Sequence, residues 1–181
     1  VVRSYPRFQV PRRFRDYEDF CRVADQLIAT AGVDDYTYIW WDVRPHPKLG
    51  TVEVRALDVQ IDAAGSSAIA ALIQAIAAKE CDSPSAPGPY RESLEESYFQ
   101  AASHGLDAEI LLDSERPEPA RAVARRLLDS VRPYAEELGG GGALEEVERI
   151  FREGNGAEEQ RRVHRGAGME GLLGHLARRS C

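Results

Sequence analysis

The sequence predicts an α+β fold in which a few antiparallel strands pack with helices and a helical segment fills the C-terminal third. Three observations carry this prediction. Residues Tyr17 to Ala31 place apolar side chains at three- and four-residue spacing, the mark of an amphipathic helix. Residues Thr51 to Val59 alternate Val52, Val54 and Ala56 with Thr51, Glu53 and Arg55, the mark of a half-buried strand. Beyond Arg91 the chain is a succession of helical patterns punctuated by glycine and proline.

Taken in order, residues 1 to 15 carry basic and aromatic side chains with Pro6 and Pro11, which favours an extended entry segment. Asp16 then caps the first helix, whose Phe20, Val23, Ala24, Leu27 and Ile28 bury one face, and Gly32 stops it. Tyr36 to Val43, aromatic and β-branched, reads as a first strand. Arg44 to Gly50, with two prolines and a glycine, reads as a turn or loop before the second strand. Ser66 to Lys79 is rich in Ala, Ile and Leu almost all round, which predicts a helix buried on most of its surface and packed under the sheet. Ser83 to Pro89 reads as an exposed linker.

Further helices are expected from Arg91 to His104, ended by Gly105, and from Pro119 to Leu138, with the proline in the first turn where a missing N–H costs least. Gly139 to Gly142 breaks the chain. Helices from Leu144 to Glu153 and from Ala157 to Leu176 follow, the second weakened by Gly166, Gly168, Gly171 and Gly174. The expected organisation is therefore a sheet with flanking helices over 1–82, a linker over 83–90 and a helical segment of the same domain over 91–181.

Composition narrows the function. Of 181 residues, 43% are apolar and 29% charged, an ordinary globular balance, and the formal net charge of -7 argues against a general nucleic-acid binder. No apolar run reaches the roughly eighteen residues needed to span a membrane, and no basic-apolar-small signal pattern opens the chain, so the expected compartment is the cytoplasm. Cys21, Cys81 and Cys181 are far apart and odd in number, which fits reduced thiols better than a disulfide framework or a zinc site. The chain opens at Val1, in what reads as a loop entering a helix, which raises the expectation of a fragment or a processed chain.

The chemistry concentrates between Tyr38 and Asp58. In a strand, residues i and i+2 share a face, so Glu53 and Arg55 project together while Val52, Val54 and Ala56 turn away. Asp42 and Arg44 do the same on a neighbouring strand, giving one face two carboxylates and two guanidiniums. Two readings are open. A strand pair laced by cross-strand salt bridges needs no ligand. Phosphoryl chemistry uses the same groups, a carboxylate to hold Mg²⁺ against nucleotide phosphates and an arginine to offset the charge on the transferred group, with Lys48 and His46 adding contacts. For Trp40 and Trp41, packing in the core and sheet is favoured over nucleotide stacking. Glu95-Glu96, Glu145-Glu146 and the pairs Arg12-Arg13, Arg125-Arg126 and Arg161-Arg162 read as solvated faces. Gly139 to Gly142 lacks the following Lys-Ser/Thr of a phosphate loop.

The stretch WWDVRPHPKLGTVEVRALD resembles the central motif of the type 2 glutamate-cysteine ligases, carboxylate-amine ligases of the glutamine synthetase superfamily. YPRF, PRRFRDYEDF, AALIQAIAA, HGLDAE and GNGAEEQRRV resemble further family segments in family order, so nearly the whole chain is covered. The resemblance implies the C-terminal part of a glutamine-synthetase-like catalytic domain. It implies ATP and Mg²⁺ as cofactors, glutamate and cysteine or analogues as substrates, and amide formation through an acyl phosphate. By similarity Glu53 is a metal ligand and Arg55 faces phosphate or substrate carboxylate, and the family roles carry to these two residues only; Arg44, as a catalytic candidate, and Asp42 neighbour them in the same site, and Lys48, from its place in the loop, is a candidate nucleotide contact.

Some features depart from the family pattern. The family's glutamate-rich GxEEE strand motif, which supplies other metal ligands, has no counterpart in these residues. Ser103 stands where an arginine is usual before the HGL stretch, and Gln9 where a glycine is usual. His104 reads as a helix C-terminal histidine favoured by the dipole. The alternative these departures favour is a non-catalytic relative that keeps the scaffold, binds nucleotide or forms a homo-oligomer.

Overall fold

The computed structural model describes residues 8–86, 88–112 and 116–179. The expectations for the first seven residues, including Pro6 and the start of the YPRF segment, for Pro87 in the linker and for Cys181 lie outside the described residues. The chain divides into two compact units, Val1–Asp58 and Val59–Cys181.

In the first unit, α1 spans Tyr17–Ala31. The Asp16 carboxylate accepts from the Asp19 N–H at 2.7 Å, satisfying one of the otherwise orphaned first-turn donors. At the other end Gly32 takes φ 60°, a left-handed conformation that closes the helix on the Ile28 and Ala29 carbonyls. The buried face of α1, Phe20 and Ala24, meets Ile39 and Trp41, with Phe14, Cys21 and Val23 packed around them. The Phe14 and Phe20 rings lie 5.3 and 6.1 Å from the Trp41 ring, so the aromatic cluster is the core of this unit.

Asp19 fastens the entry segment to α1. Its carboxylate accepts from the Arg12 guanidinium at 2.7 Å and the Arg15 N–H at 3.2 Å. The Arg12 hydrogen bond, then the Arg15 backbone, hold its pKa down at about 2. A depressed carboxyl contributes stability that is complete above its unfolded value and lost as pH falls through the folded one. Acid unfolding should therefore carry a component between about pH 4 and about pH 2 that Asp19→Asn lacks, read from circular dichroism across that range. An identical acid limb in both proteins would dissociate Asp19 from this behaviour.

The strands differ from expectation. Tyr36–Tyr38 is a turn of 3-10 helix, and β1 is Val43–His46, which begins at the last residue of the expected first strand and runs into the segment expected to be a turn or loop. The cause is local: the Asp35 carboxylate accepts from the Thr37 N–H at 2.8 Å and the Thr37 hydroxyl at 2.6 Å, which winds the aromatic stretch despite its strand propensity. Pro45 is tolerated because β1 pairs in a ladder with β2, Thr51–Val54, on one side, and proline is accommodated on an edge strand. The ladder is antiparallel, with Val43 opposite Val54, Arg44 opposite Glu53, Pro45 opposite Val52 and His46 opposite Thr51. Gly50, at φ 62°, makes the left-handed position of the connecting turn. β2 ends at Val54, five residues before the predicted end of its strand.

The second unit is helical. α2 spans Ala63–Asp82, α3 Arg91–His104, α4 Ala120–Glu137 and α5 Gly141–Glu153. Within this unit α2 packs against α4 and α5. Its Ala68 and Ala75 form a core with Leu128, Val131, Ala135, Leu144 and Val147. Alanine allows close approach, and a Cβ at Gly140 would lie 3.2 Å from Ala71 Cβ, so the glycine run serves as a tight connector. A short ladder, β3 Glu109–Ile110 with β4 Glu118–Pro119, was not visible in the sequence pattern. It is tied to α3 by Ser97, whose hydroxyl accepts the Leu111 N–H at 2.9 Å.

The last helical segment, α6 (Gly156–Arg179), is two helices joined at Gly168, where φ is 65° and ψ −168°. The pair His175 Nε2 and Glu159 Oε1 at 2.8 Å requires this break. Sixteen residues of straight helix would put them about 24 Å apart. Of the four glycines noted in the sequence, the one at the bend has a conformation that essentially only glycine adopts. Gly168→Ala should cost about 1–3 kcal/mol in urea unfolding although open space surrounds its Cβ position. Gly166→Ala, also in open space but helical, should be neutral or stabilising by up to about 1 kcal/mol. Equal effects of the two changes would sink the assignment of the bend to Gly168.

Candidate active site

The β1–β2 register brings three of the sequence-predicted residues together. Arg44 faces Glu53 across the ladder, and Arg44 Nε donates to Glu53 Oε2 at 2.8 Å. Arg55, just past β2, places its Nε 2.8 Å from Glu53 Oε1. The carboxylate is thus held between two guanidiniums in a row that opens to water: Arg44 is 4% exposed by side chain, Glu53 31% and Arg55 39%.

Arg44 is anchored more deeply than spacing predicts. Its NH1 group donates to the carbonyls of Tyr36 at 3.0 Å, Thr37 at 3.0 Å and Ile39 at 2.5 Å. The 3-10 turn therefore presents its carbonyls to the one buried arginine in the ladder, and the arginine satisfies them. These partners were missed in the sequence because their arrangement depends on the Asp35 cap; the D-x-T spacing at Asp35 and Thr37 was the available signal. Burial raises the Glu53 pKa, but the Arg44 hydrogen bond and charge, followed by the charges of Arg55 and His46, outweigh it and hold the group below its ordinary value. Glu53 is a carboxylate at neutral pH.

The other predicted residues sit apart or in lesser roles. Asp42 is buried at 2% exposure and joins the site through its backbone, its N–H donating to Gln9 O at 3.1 Å and its carbonyl accepting the Arg55 N–H at 2.6 Å. Lys48 is in the β1–β2 turn, 71% exposed by side chain, with Nζ 3.7 Å from Asp35 Oδ2. His46 lies on the ladder, not in a loop, its Nδ1 3.3 Å from Tyr36 Oη. Trp41 is core, as expected; Trp40, expected to pack with it, is instead exposed, its Nε1 donating to Thr37 O at 3.1 Å. Ser103 and His104 are exposed in the last turn of α3. Arg126 pairs with Glu118 at 2.7 Å, consistent with a solvated helix face.

What the cluster can hold follows from its charge. Two guanidiniums around one carboxylate leave a net positive site, which suits an oxyanion at the open Arg55 end. For a divalent cation, Glu53 offers the hard oxygens that Mg²⁺ takes, each with one lone pair left beside its arginine. That is one ligand position. Among the described residues no group of three or more His, Cys, Asp or Glu side chains is placed to hold a metal ion. Glu53 therefore fits Mg²⁺ only as one ligand among phosphate oxygens, water and other groups.

The Arg44–Glu53–Arg55 row thus lies on and just beyond a short antiparallel ladder in an α+β chain. Residues 3–177 match the family model of glutamate-cysteine ligase family 2, and the chain belongs to that family. It is 41% identical over 175 residues to a Rubrobacter xylanophilus protein named "Putative glutamate-cysteine ligase 2-3", covering 95% of this chain and 47% of the relative. A second protein of that organism, named "Putative glutamate-cysteine ligase 2-1", is 38% identical over 171 residues, 93% of this chain and 46% of the relative. The "Glutamate-cysteine ligase" of Natronomonas pharaonis is 33% identical over 181 residues, 98% of this chain and 47% of the relative. The chain thus spans about half the length of the curated relatives it matches. No helix among the described residues is long and apolar enough to cross a membrane.

Proposed function

We propose that this protein is an ATP-dependent ligase that joins glutamate, or a similar carboxylate, to cysteine, or a similar amine, through an acyl phosphate. The observation that carries the reading is the Arg44–Glu53–Arg55 row, ending in a water-facing guanidinium, within a chain that belongs to a ligase family. Forming an acyl phosphate concentrates negative charge on the transferred group, and the donors of Arg55 not used by Glu53 are placed to offset it. Lys48, exposed on the turn, supplies a point charge for nucleotide phosphates. Glu53 is the metal ligand of this segment; Mg²⁺ bound there with ATP supplies charge neutralisation at the phosphates. Arg44, buried and committed to Glu53 and three carbonyls, serves by fixing the carboxylate's orientation. The proposed setting is the cytoplasm, in a homo-oligomer.

The test is ADP release by the full-length protein across a panel of amino acids. Release only when both acid and amine are present is the expected result; none across the panel would end the ligase reading. Arg55→Ala is expected to weaken ATP·Mg²⁺ binding at least about tenfold in calorimetry. A second reading is favoured by one observation: both Glu53 oxygens are already paired with arginine, so the ladder stands without a ligand. In that reading the protein is a non-catalytic, scaffold or nucleotide-binding relative, and ATP·Mg²⁺ would bind without turnover or not at all.

A further inference from the structure

The ligase chemistry leaves one task without a residue. At neutral pH an amino-acid amine is an ammonium ion with no lone pair, and it must lose a proton before it can attack an acyl phosphate. Histidine is the side chain type whose ordinary titration falls between pH 5 and 8, and a useful general base titrates near the working pH.

We propose that His46 is this base and that Tyr36 positions it, an inference that rests on the ligase reading above. His46 ends β1 two residues beyond Arg44, so it shares the face of the ladder that carries Arg44 and Glu53. Its ring stands edge-on to Tyr36, with centroids 5.4 Å apart and planes at 88°, and Nδ1 lies 3.3 Å from the Tyr36 hydroxyl. Tyr36 thus serves two site residues at once, because its carbonyl also accepts from Arg44. Nε2 of His46 makes no hydrogen bond among the described residues, and the side chain is only partly buried.

The arrangement is that of a base oriented by a third group. With the ring proton on Nδ1 donated to Tyr36 Oη, the Nε2 lone pair is the free acceptor. Tyr36 from the 3-10 turn is bonded to His46 and Glu53 from the ladder interacts with it electrostatically; Arg44 and Arg55 flank Glu53, and the Lys48–Asp35 pair lies at the turn that follows β1. In the step, Nε2 takes a proton from the ammonium and the amine lone pair forms the C–N bond at the acyl carbon. The bond from that carbon to the phosphate oxygen breaks, its electron pair leaves with inorganic phosphate, which takes the second proton from the nitrogen as the amide forms, and the imidazolium proton passes to water.

The experiment compares two acceptors in the full-length protein with glutamate and ATP. One is cysteine, whose amine is protonated at neutral pH; the other is hydroxylamine, which is already the free base there. His46→Gln, which keeps a group able to bond Tyr36, is expected to slow amide formation with cysteine at pH 7 about 100-fold more than it slows hydroxamate formation. The cysteine rate should recover as pH rises. Equal loss with both acceptors, or no loss with either, overturns the proposal.

Tyr36→Phe should show the same selective loss, about tenfold, and should move the imidazole nitrogen resonances toward the Nε2–H tautomer. An unchanged ratio of the two acceptor rates in that variant overturns the positioning role. Should His46→Gln fail to fold by circular dichroism, Tyr36→Phe decides by the same ratio. Absence of hydroxamate from the wild-type protein rejects the ligase reading itself, and the base with it.

Discussion

Glu53→Gln in the full-length protein is expected to lower ATP-dependent amide synthesis at least about 100-fold, because it removes a charge from the place where phosphate and metal are balanced. The same change should also destabilise the first unit by about 1–3 kcal/mol. Strand geometry alone suggests that folding would hardly notice. The structure gives a different answer, since Glu53 is the counterion of an arginine only 4% exposed, and glutamine cannot compensate that charge. Turnover is read from ADP release and stability from urea unfolding on the same preparation. Turnover unchanged in a folded variant removes Glu53 from the site.

Arg44→Met is expected to cost about 3–5 kcal/mol in urea unfolding followed by tryptophan fluorescence, the signature of breaking a buried pair from one side. Methionine replaces the stem but strands the Tyr36, Thr37 and Ile39 carbonyls and leaves Glu53 with Arg55 alone. Trp41 reports the loss, because it packs in the core with Ile39, one of the residues whose carbonyl Arg44 holds. Arg44→Lys should recover little of it, since an ammonium is a point charge and cannot serve Nε and NH1 directions in one plane. A cost below about 1 kcal/mol for Arg44→Met would mean that the carbonyls find water and that Arg44 does not organise the turn.

The contrast between these residues explains what could be read in advance. Glu53 and Arg55 share a face by strand period alone, and α1 is bounded by Asp16 and Gly32, residues whose capping chemistry is local. Arg44 needed the ladder register, which depends on a turn at Gly50 that reads from sequence only as a loop. The Tyr36–Tyr38 segment has the composition of a strand, and a single side chain, Asp35, decides against it. For α2 the run of alanine and isoleucine suggests burial on most of its surface, yet only Gly65, Ala68 and Ala75 are buried, because small apolar side chains are compatible with an exposed face as well as with a core. Among the five glycines of α6, the bend falls where distant contacts require it, information that no short window contains.

That bend has a mechanical corollary. By turning the chain back at Gly168, it delivers Arg179 to Asp62, a residue 117 positions earlier, which caps α2 through the Gly65 N–H at 2.8 Å. The first and last turns of the unit are therefore clasped, and neither can fray without loosening the other. In hydrogen exchange, amides at the start of α2 and at the end of α6 should open as one event, so a cut within the final turn would be felt at the start of α2. The unit behaves as a closed ring rather than a rod with two free ends.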